Sequence, residues 1–134
     1  MQNYHLTDIP ARTQKPRDFG YTMVMDKGLS IREVEDLLSV SGQFIDVVKF
    51  GWATSFVTNK LKEKVRIYQE AGVPVYFGGT LFEAFIIRND FDGYRRLLDE
   101  FNLTHAEVSD GSIELPHDQK CQYIETLAKQ VTVL

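Results

Sequence analysis

The chain has 134 residues, 43% of them hydrophobic and 25% charged, which is sequence for one domain with a real core and excludes a disordered or collagen-like chain. Fifteen Lys and Arg against nineteen Asp and Glu leave a formal charge of −4 with no long run of either sign, so nucleic acid is not an expected partner. A single cysteine excludes an internal disulfide and a cysteine-rich zinc site. The polar opening Met1-Gln2-Asn3-Tyr4-His5 lacks an apolar signal region, and no apolar run nears the roughly 20 residues of a membrane span, so a cytoplasmic protein with no membrane partner is expected.

After a polar lead through Asp18, short apolar runs alternate with segments of helical period, the pattern of βα units around a parallel sheet. Tyr21 to Met25 reads as strand one. Ser30 and Glu33 have the spacing of a capping box ahead of the stripe Val34, Leu37, Leu38. Phe44 to Lys49 reads as strand two, and Leu61, Val65 and Tyr68 mark the inner face of a helix ended by Gly72. Val73 to Phe77 is strand three. A helical stretch through Phe82, Phe85 and Ile86 breaks near Asn89-Asp90 and resumes with Tyr94, Leu97, Leu98 and Phe101. His105 to Val108 is strand four, Cys121, Ile124, Leu127 and Ala128 are the expected buried stripe of the next helix, and Val131 to Leu134 reads as strand five.

Two architectures fit. Length favours an open flavodoxin-like sheet, because a complete (β/α)8 barrel needs about 250 residues. Polar strand positions argue the other way: Thr22 and Asp26 share one parity, Asp46 interrupts strand two, and His105 and Glu107 share one parity, as suits a sheet lining a barrel lumen.

In either fold the site lies beyond the carboxyl ends of the strands. Those ends carry Asp26-Lys27-Gly28, Lys49-Phe50-Gly51-Trp52, Gly78-Gly79-Thr80 with Glu83, and Glu107-Val108-Ser109-Asp110-Gly111. The glycine pair can offer backbone N–H groups to an anion, although Thr80 to Glu83 is also a capping box that needs no ligand. Lys49 follows a buried strand and reads as a functional cation or the partner of Asp46. Glu107 and Asp110, three positions apart, can share one hard cation such as Mg2+. His105 has the parity of Glu107, His5 and His117 read as surface residues, and Cys121 reads as packing.

Taken together, Lys15-Pro16-Arg17, Thr22 to Gly28, Ile45 to Ser55, Gly78 to Glu83 and Glu107 to Gly111 resemble the phosphosulfolactate synthase family from about Arg12 to Leu134. The resemblance implies an α/β chain of the (β/α)8 TIM-barrel type, here about the first four βα units and the start of strand five. Residues 1–19 form a lead segment and residues 20–134 the N-terminal half of the barrel. It also implies a carbon–sulfur lyase that uses Mg2+ to add sulfite to phosphoenolpyruvate, giving phosphosulfolactate for coenzyme M or other sulfonate pathways. Plant heat-stress-associated relatives of the same fold supply the alternative, a non-catalytic protein.

On this resemblance Lys49, Lys27 and Glu83 are the expected catalytic residues, and Arg12, Lys15, Arg17, Gly78, Gly79 and Thr80 the expected substrate-binding ones. Asp26, Glu107 and Asp110 are the expected metal ligands. Family members are nearly twice as long, and the lysine proposed as their general acid lies beyond the segment that matches Leu134. The chain alone is therefore expected to be inactive, and to associate as a homo-oligomer that covers its open sheet edges.

Overall fold

A computed structural model describes residues 3–134. The elements run β1 (Met23–Asp26), α1 (Ile31–Ser41), β2 (Val47–Phe50), α2 (Leu61–Glu70), β3 (Val75–Phe77), α3 (Gly79–Ile86), α4 (Phe91–Glu100), β4 (His105–Ala106), α5 (His117–Leu127) and β5 (Thr132–Val133). Short 3-10 turns at Gly42–Phe44 and Thr54–Val57 precede and follow β2.

Local chemistry accounts for most boundaries. Ser30 caps α1 and Glu33 returns the bond to the Ser30 N–H, completing the expected capping box. Asn89, at a φ of 56°, separates α3 from α4, and the Asp90 carboxylate caps α4 by accepting from the Gly93 N–H. The strands are shorter than the apolar runs predict. Phe44 is taken into a 3-10 turn, and Val73-Pro74 stays outside β3, where Pro74 has no N–H for the ladder. The inner face of α5 is rotated from the expected one: Tyr123, Ile124 and Leu127 join the core, while Cys121 is exposed beside His117, so its expected packing role is corrected.

β1, β2 and β3 form one parallel sheet in the order β1-β2-β3, and β4 pairs with β5 in a second parallel ladder. Along each strand alternate residues face opposite ways. Val24, Val48, Phe50, Val75, Phe77 and Ala106 join Val34, Val65, Tyr68, Leu81, Phe82, Tyr94, Leu98 and Leu127 in a single core between sheet and helices. Phe50 meets Tyr68 and Phe77 edge-on, and Phe82 meets Tyr94 and Tyr123 in the same way. Each such buried ring or branched side chain contributes about 1.5–3 kcal/mol of transfer free energy.

The opposite row carries Met23 and Met25, both exposed, with Lys49, and none of them belongs to that core. Helices on one face and strands in sequential order are consistent with part of a (β/α)8 barrel. A doubly wound sheet would instead reverse its strand order and carry helices on both faces. Among the described residues, no helix is long and apolar enough to cross a membrane.

Candidate active site

Register aligns Met25, Lys49 and Tyr76 in one row across β1, β2 and β3, on the helix-free face. Glu107, one residue past β4, reaches this row: its carboxylate meets the Lys49 ammonium at 2.9 Å through Oε1 and 2.6 Å through Oε2. Both side chains are about one-fifth exposed, at 18% and 22%, so the pair is shielded yet open to a small solute. Burial first, then the charge of Glu107 and its hydrogen bond, push the Tyr76 hydroxyl up to about 12, so it stays protonated beside that carboxylate. Lys49 therefore pairs with Glu107 and not with Asp46, as one reading of the sequence had it.

The glycines after β3 are close-approach positions. A Cβ on Gly78 would stand 3.0 Å from the Phe50 carbonyl and the Trp52 backbone, and one on Gly79 would stand 2.5 Å from Ser109 and 3.0 Å from Glu107 Oε1. These two residues let the turn out of β3 run against the strand ends on both sides. α3 begins at Gly79 with Gly78 as its cap and no side-chain capping bond. Thr80 and Glu83 thus form no capping box. The buried Glu83 carboxylate instead accepts from the Ser109 hydroxyl, the Gly111 N–H at 2.9 Å and the Ser112 N–H at 3.0 Å.

Asp26 departs most from expectation. It ends β1 on the helix-covered face, in register with Phe50, and is fully buried. Its carboxylate accepts from the Gly28 and Leu29 N–H groups at 2.9 Å, from Lys64 at 2.8–2.9 Å and from the Tyr68 hydroxyl at 3.0 Å. Four internal donor groups thus surround the carboxylate that the resemblance assigns to a metal. The signal was legible: Lys64 falls inside the stripe Leu61, Lys64, Val65, Tyr68, and a lysine on a buried helical face requires a buried acid. Burial foremost, with the Asp26 charge and hydrogen bond, raises the Tyr68 hydroxyl well above its ordinary value.

The N-terminal cations meet protein partners as well. Arg17 pairs with Asp46 in a nearly closed site, Arg12 donates to Thr22 Oγ1 and the Phe44 carbonyl, and Lys15 donates to the Gly42 carbonyl at 3.1 Å. Thr22 and Asp46 immediately precede β1 and β2. These contacts therefore lie at the amino edge of a parallel sheet, about 10 Å of strand away from Lys49 and Glu107's edge. The lead segment ties down that edge. A cavity of about 960 Å³ there is lined by Arg12, Arg17, Gln43 and Phe44 and contains none of the strand-end acids.

Lys27, after β1, is exposed and lies over the Trp52 ring at 5.1 Å. Asp110 is exposed and bonds Lys120 at 2.7 Å; that hydrogen bond and its charge hold the carboxyl below its ordinary value. His105 bonds Thr104 at 2.9 Å at the start of β4, and burial lowers its pKa. Among the described residues, no three His, Cys, Asp or Glu side chains converge on one point. The expected triad of Asp26, Glu107 and Asp110 does not form, each acid having its own lysine. Of the three acids, Glu107 is the one on the helix-free face at the strand ends, where both its oxygens face Lys49 and the side chain is about one-fifth exposed.

The geometry is that of a strand-end cation and carboxylate backed by close-packed glycines, and the sequence is similar to three curated proteins. A phosphosulfolactate synthase of Bacillus subtilis (strain 168) is 32% identical over 127 residues, covering 95% of this chain and 50% of the relative. That of Methanothermobacter thermautotrophicus is 36% identical over 118 residues, 87% of this chain and 46% of the relative. That of Methanocaldococcus jannaschii is 42% identical over 103 residues, 75% and 41%. The chain spans about half the length of these curated relatives. Residues 10–134 match the family described as (2R)-phospho-3-sulfolactate synthase, and the chain belongs to that family.

Proposed function

We propose that this chain is the N-terminal half of a (β/α)8 barrel enzyme that adds sulfite to phosphoenolpyruvate to give phosphosulfolactate, in the cytoplasm. The observation that carries the reading is the Lys49–Glu107 pair on the helix-free face at the carboxyl ends of the strands, which is where barrel enzymes do their chemistry. Family membership supplies the reaction class.

Sulfite attacks the methylene carbon of phosphoenolpyruvate, and the electron pair of the double bond moves toward the carboxylate, which becomes an enediolate. The neighbouring carbon then takes a proton. A fixed cation where that charge grows is typically worth several kcal/mol of barrier. Lys49 supplies it, and Glu107 holds the ammonium in place through two oxygens. Mg2+, when bound, supplies a second positive charge to the substrate's oxygens. Glu107 is the residue that would hold it. Gly79 and Thr80 open α3 with N–H groups that no side chain caps, a setting that suits the substrate phosphate.

The proton donor and the remaining walls belong to the other half, which this reading assigns to chain matching the unmatched part of the relatives. Exposed Met23 and Met25 on the helix-free face are the surface that half, within a homo-oligomer, would cover. The test is complementation. The purified 134-residue chain, alone and mixed with the C-terminal half of the Bacillus subtilis relative, is given phosphoenolpyruvate, sulfite and Mg2+ and followed by phosphorus NMR. Phosphosulfolactate is expected only from the mixture. A mixture that assembles and yet leaves phosphoenolpyruvate untouched would turn the reading to a non-catalytic relative of the same fold.

A further inference from the structure

Glu83 carries a buried negative charge that the reaction scheme does not use. Only 3% of the residue is exposed, and among the described residues no Lys or Arg lies within ion-pair distance of it. A carboxylate closed off without a cation is costly, and hydrogen bonds alone must offset that cost. All three of its donors come from one four-residue stretch of the loop after β4: the Ser109 hydroxyl, the Gly111 N–H and the Ser112 N–H. Two N–H groups aimed at one carboxylate make an anion nest, here filled from inside the protein.

The same loop carries Glu107. Ser109 stands against Gly79 so closely that a Cβ there would meet it at 2.5 Å, and Glu107 Oε1 would lie 3.0 Å from that Cβ. α3 thus touches the loop twice, by an absent side chain at Gly79 and by a charged one at Glu83, a helical turn apart. Glu107 leaves a strand of only two residues. The ladder therefore does little to fix where its carboxylate points, and the loop that follows must do so.

We propose that Glu83 is a positioning residue: by clasping Ser109, Gly111 and Ser112 it sets where the Glu107 carboxylate stands beside Lys49. It is not itself a catalytic residue. The value of the clasp to catalysis rests on the synthase reading above, but the clasp can be tested without turnover. The negative charge is needed because it binds two amides and a hydroxyl at once, which a neutral side chain of the same shape does less well.

The experiment uses the 134-residue chain and its Glu83→Ala, Glu83→Gln and Ser109→Ala variants, with Glu107→Gln as reference. Amide hydrogen exchange is read at Gly111 and Ser112, and the Lys49–Glu107 contact, 2.6 Å in the parent, is read as the nuclear Overhauser effect between the Lys49 Hε and Glu107 Hγ protons. Glu83→Ala is expected to speed exchange at both amides by about tenfold or more, as loss of a charged acceptor should. It should also abolish the Lys49–Glu107 Overhauser contact, with Glu83→Gln and Ser109→Ala weakening it. A purely structural Glu83 would lower the denaturation midpoint and leave that contact at parental strength, which overturns the proposal. Should Glu83→Ala fail to fold, Ser109→Ala decides alone: an unchanged Lys49–Glu107 contact in that variant rejects the clasp. Faster exchange and a lost contact with no turnover in the complemented protein would reject the synthase reading and leave the clasp standing.

Discussion

The Lys49 ammonium and the Glu107 carboxylate lie 58 positions apart in the chain and 2.6 Å apart in space. They come from the ends of β2 and the loop after β4, on the face the helices leave open, so the pair exists only once three βα units have stacked in order. Its partial exposure separates it from the two closed ion pairs of the fold, Asp26–Lys64 and Arg17–Asp46.

That contrast predicts opposite behaviour on mutation. Lys49→Ala should lower synthase turnover in the complemented protein by about a hundredfold, as loss of a charge-stabilising group typically does. Its effect on folding should stay near 1 kcal/mol because the pair is partly solvated. Equal turnover in variant and parent would remove Lys49 from the site.

Lys64→Met should do the reverse at the level of the fold. It strands a fully buried carboxylate and is expected to cost about 3–5 kcal/mol in urea denaturation, whereas Asp26→Leu with Lys64→Met together should recover most of the loss. A single variant as stable as the parent would show that Asp26 does not depend on Lys64.

At the opposite edge, Arg17→Ala should destabilise by about 3 kcal/mol and leave the apparent affinity for phosphoenolpyruvate unchanged, because its partner Asp46 precedes β2. A raised KM with unchanged stability would instead return the lead segment to the site.

Asp46 also predicts a pH dependence. Burial pushes its carboxyl up, but the Thr22 N–H and the hydrogen bond and charge of Arg17 outweigh burial and hold it below the ordinary 3.8. The unfolded chain therefore takes up the proton first as the pH falls. Its stabilisation is complete above 3.8 and is lost as the pH drops from there through the lower folded value. Asp46→Asn should flatten that limb of the acid denaturation curve, and a limb of unchanged slope would assign it to other acids.

Gly79→Ala should destabilise by about 1–3 kcal/mol, since its Cβ must push Ser109 and Glu107 aside. At Gly111 the nearest obstacle to a Cβ is Glu83 Oε1 at 3.9 Å, an ordinary contact. Gly111→Ala is expected to fold like the parent, and similar denaturation midpoints for the two variants would refute the close-packing account.

By itself the sequence determined what local physics decides. The capping box at Ser30, the inner face of α2, the break at Asn89-Asp90 and the polar strand ends were all legible, because capping, helical period and glycine conformational freedom act within a few residues. Which face each polar side chain took was not. Asp26 has the parity of a lumen residue in the chain and the burial of a core residue in the fold, because Lys64 and Tyr68 of α2 reach down to neutralise it. Nor could the sequence show that Arg12, Lys15 and Arg17 meet protein partners at the amino edge, where the parallel strands put Thr22 and Asp46. Glu83 read either as half of a capping box or as a site residue, and its donors in the loop after β4 were not legible. In each case a charge chose a partner dozens of positions away, and that choice is decided by desolvation and close packing, which exist only in three dimensions.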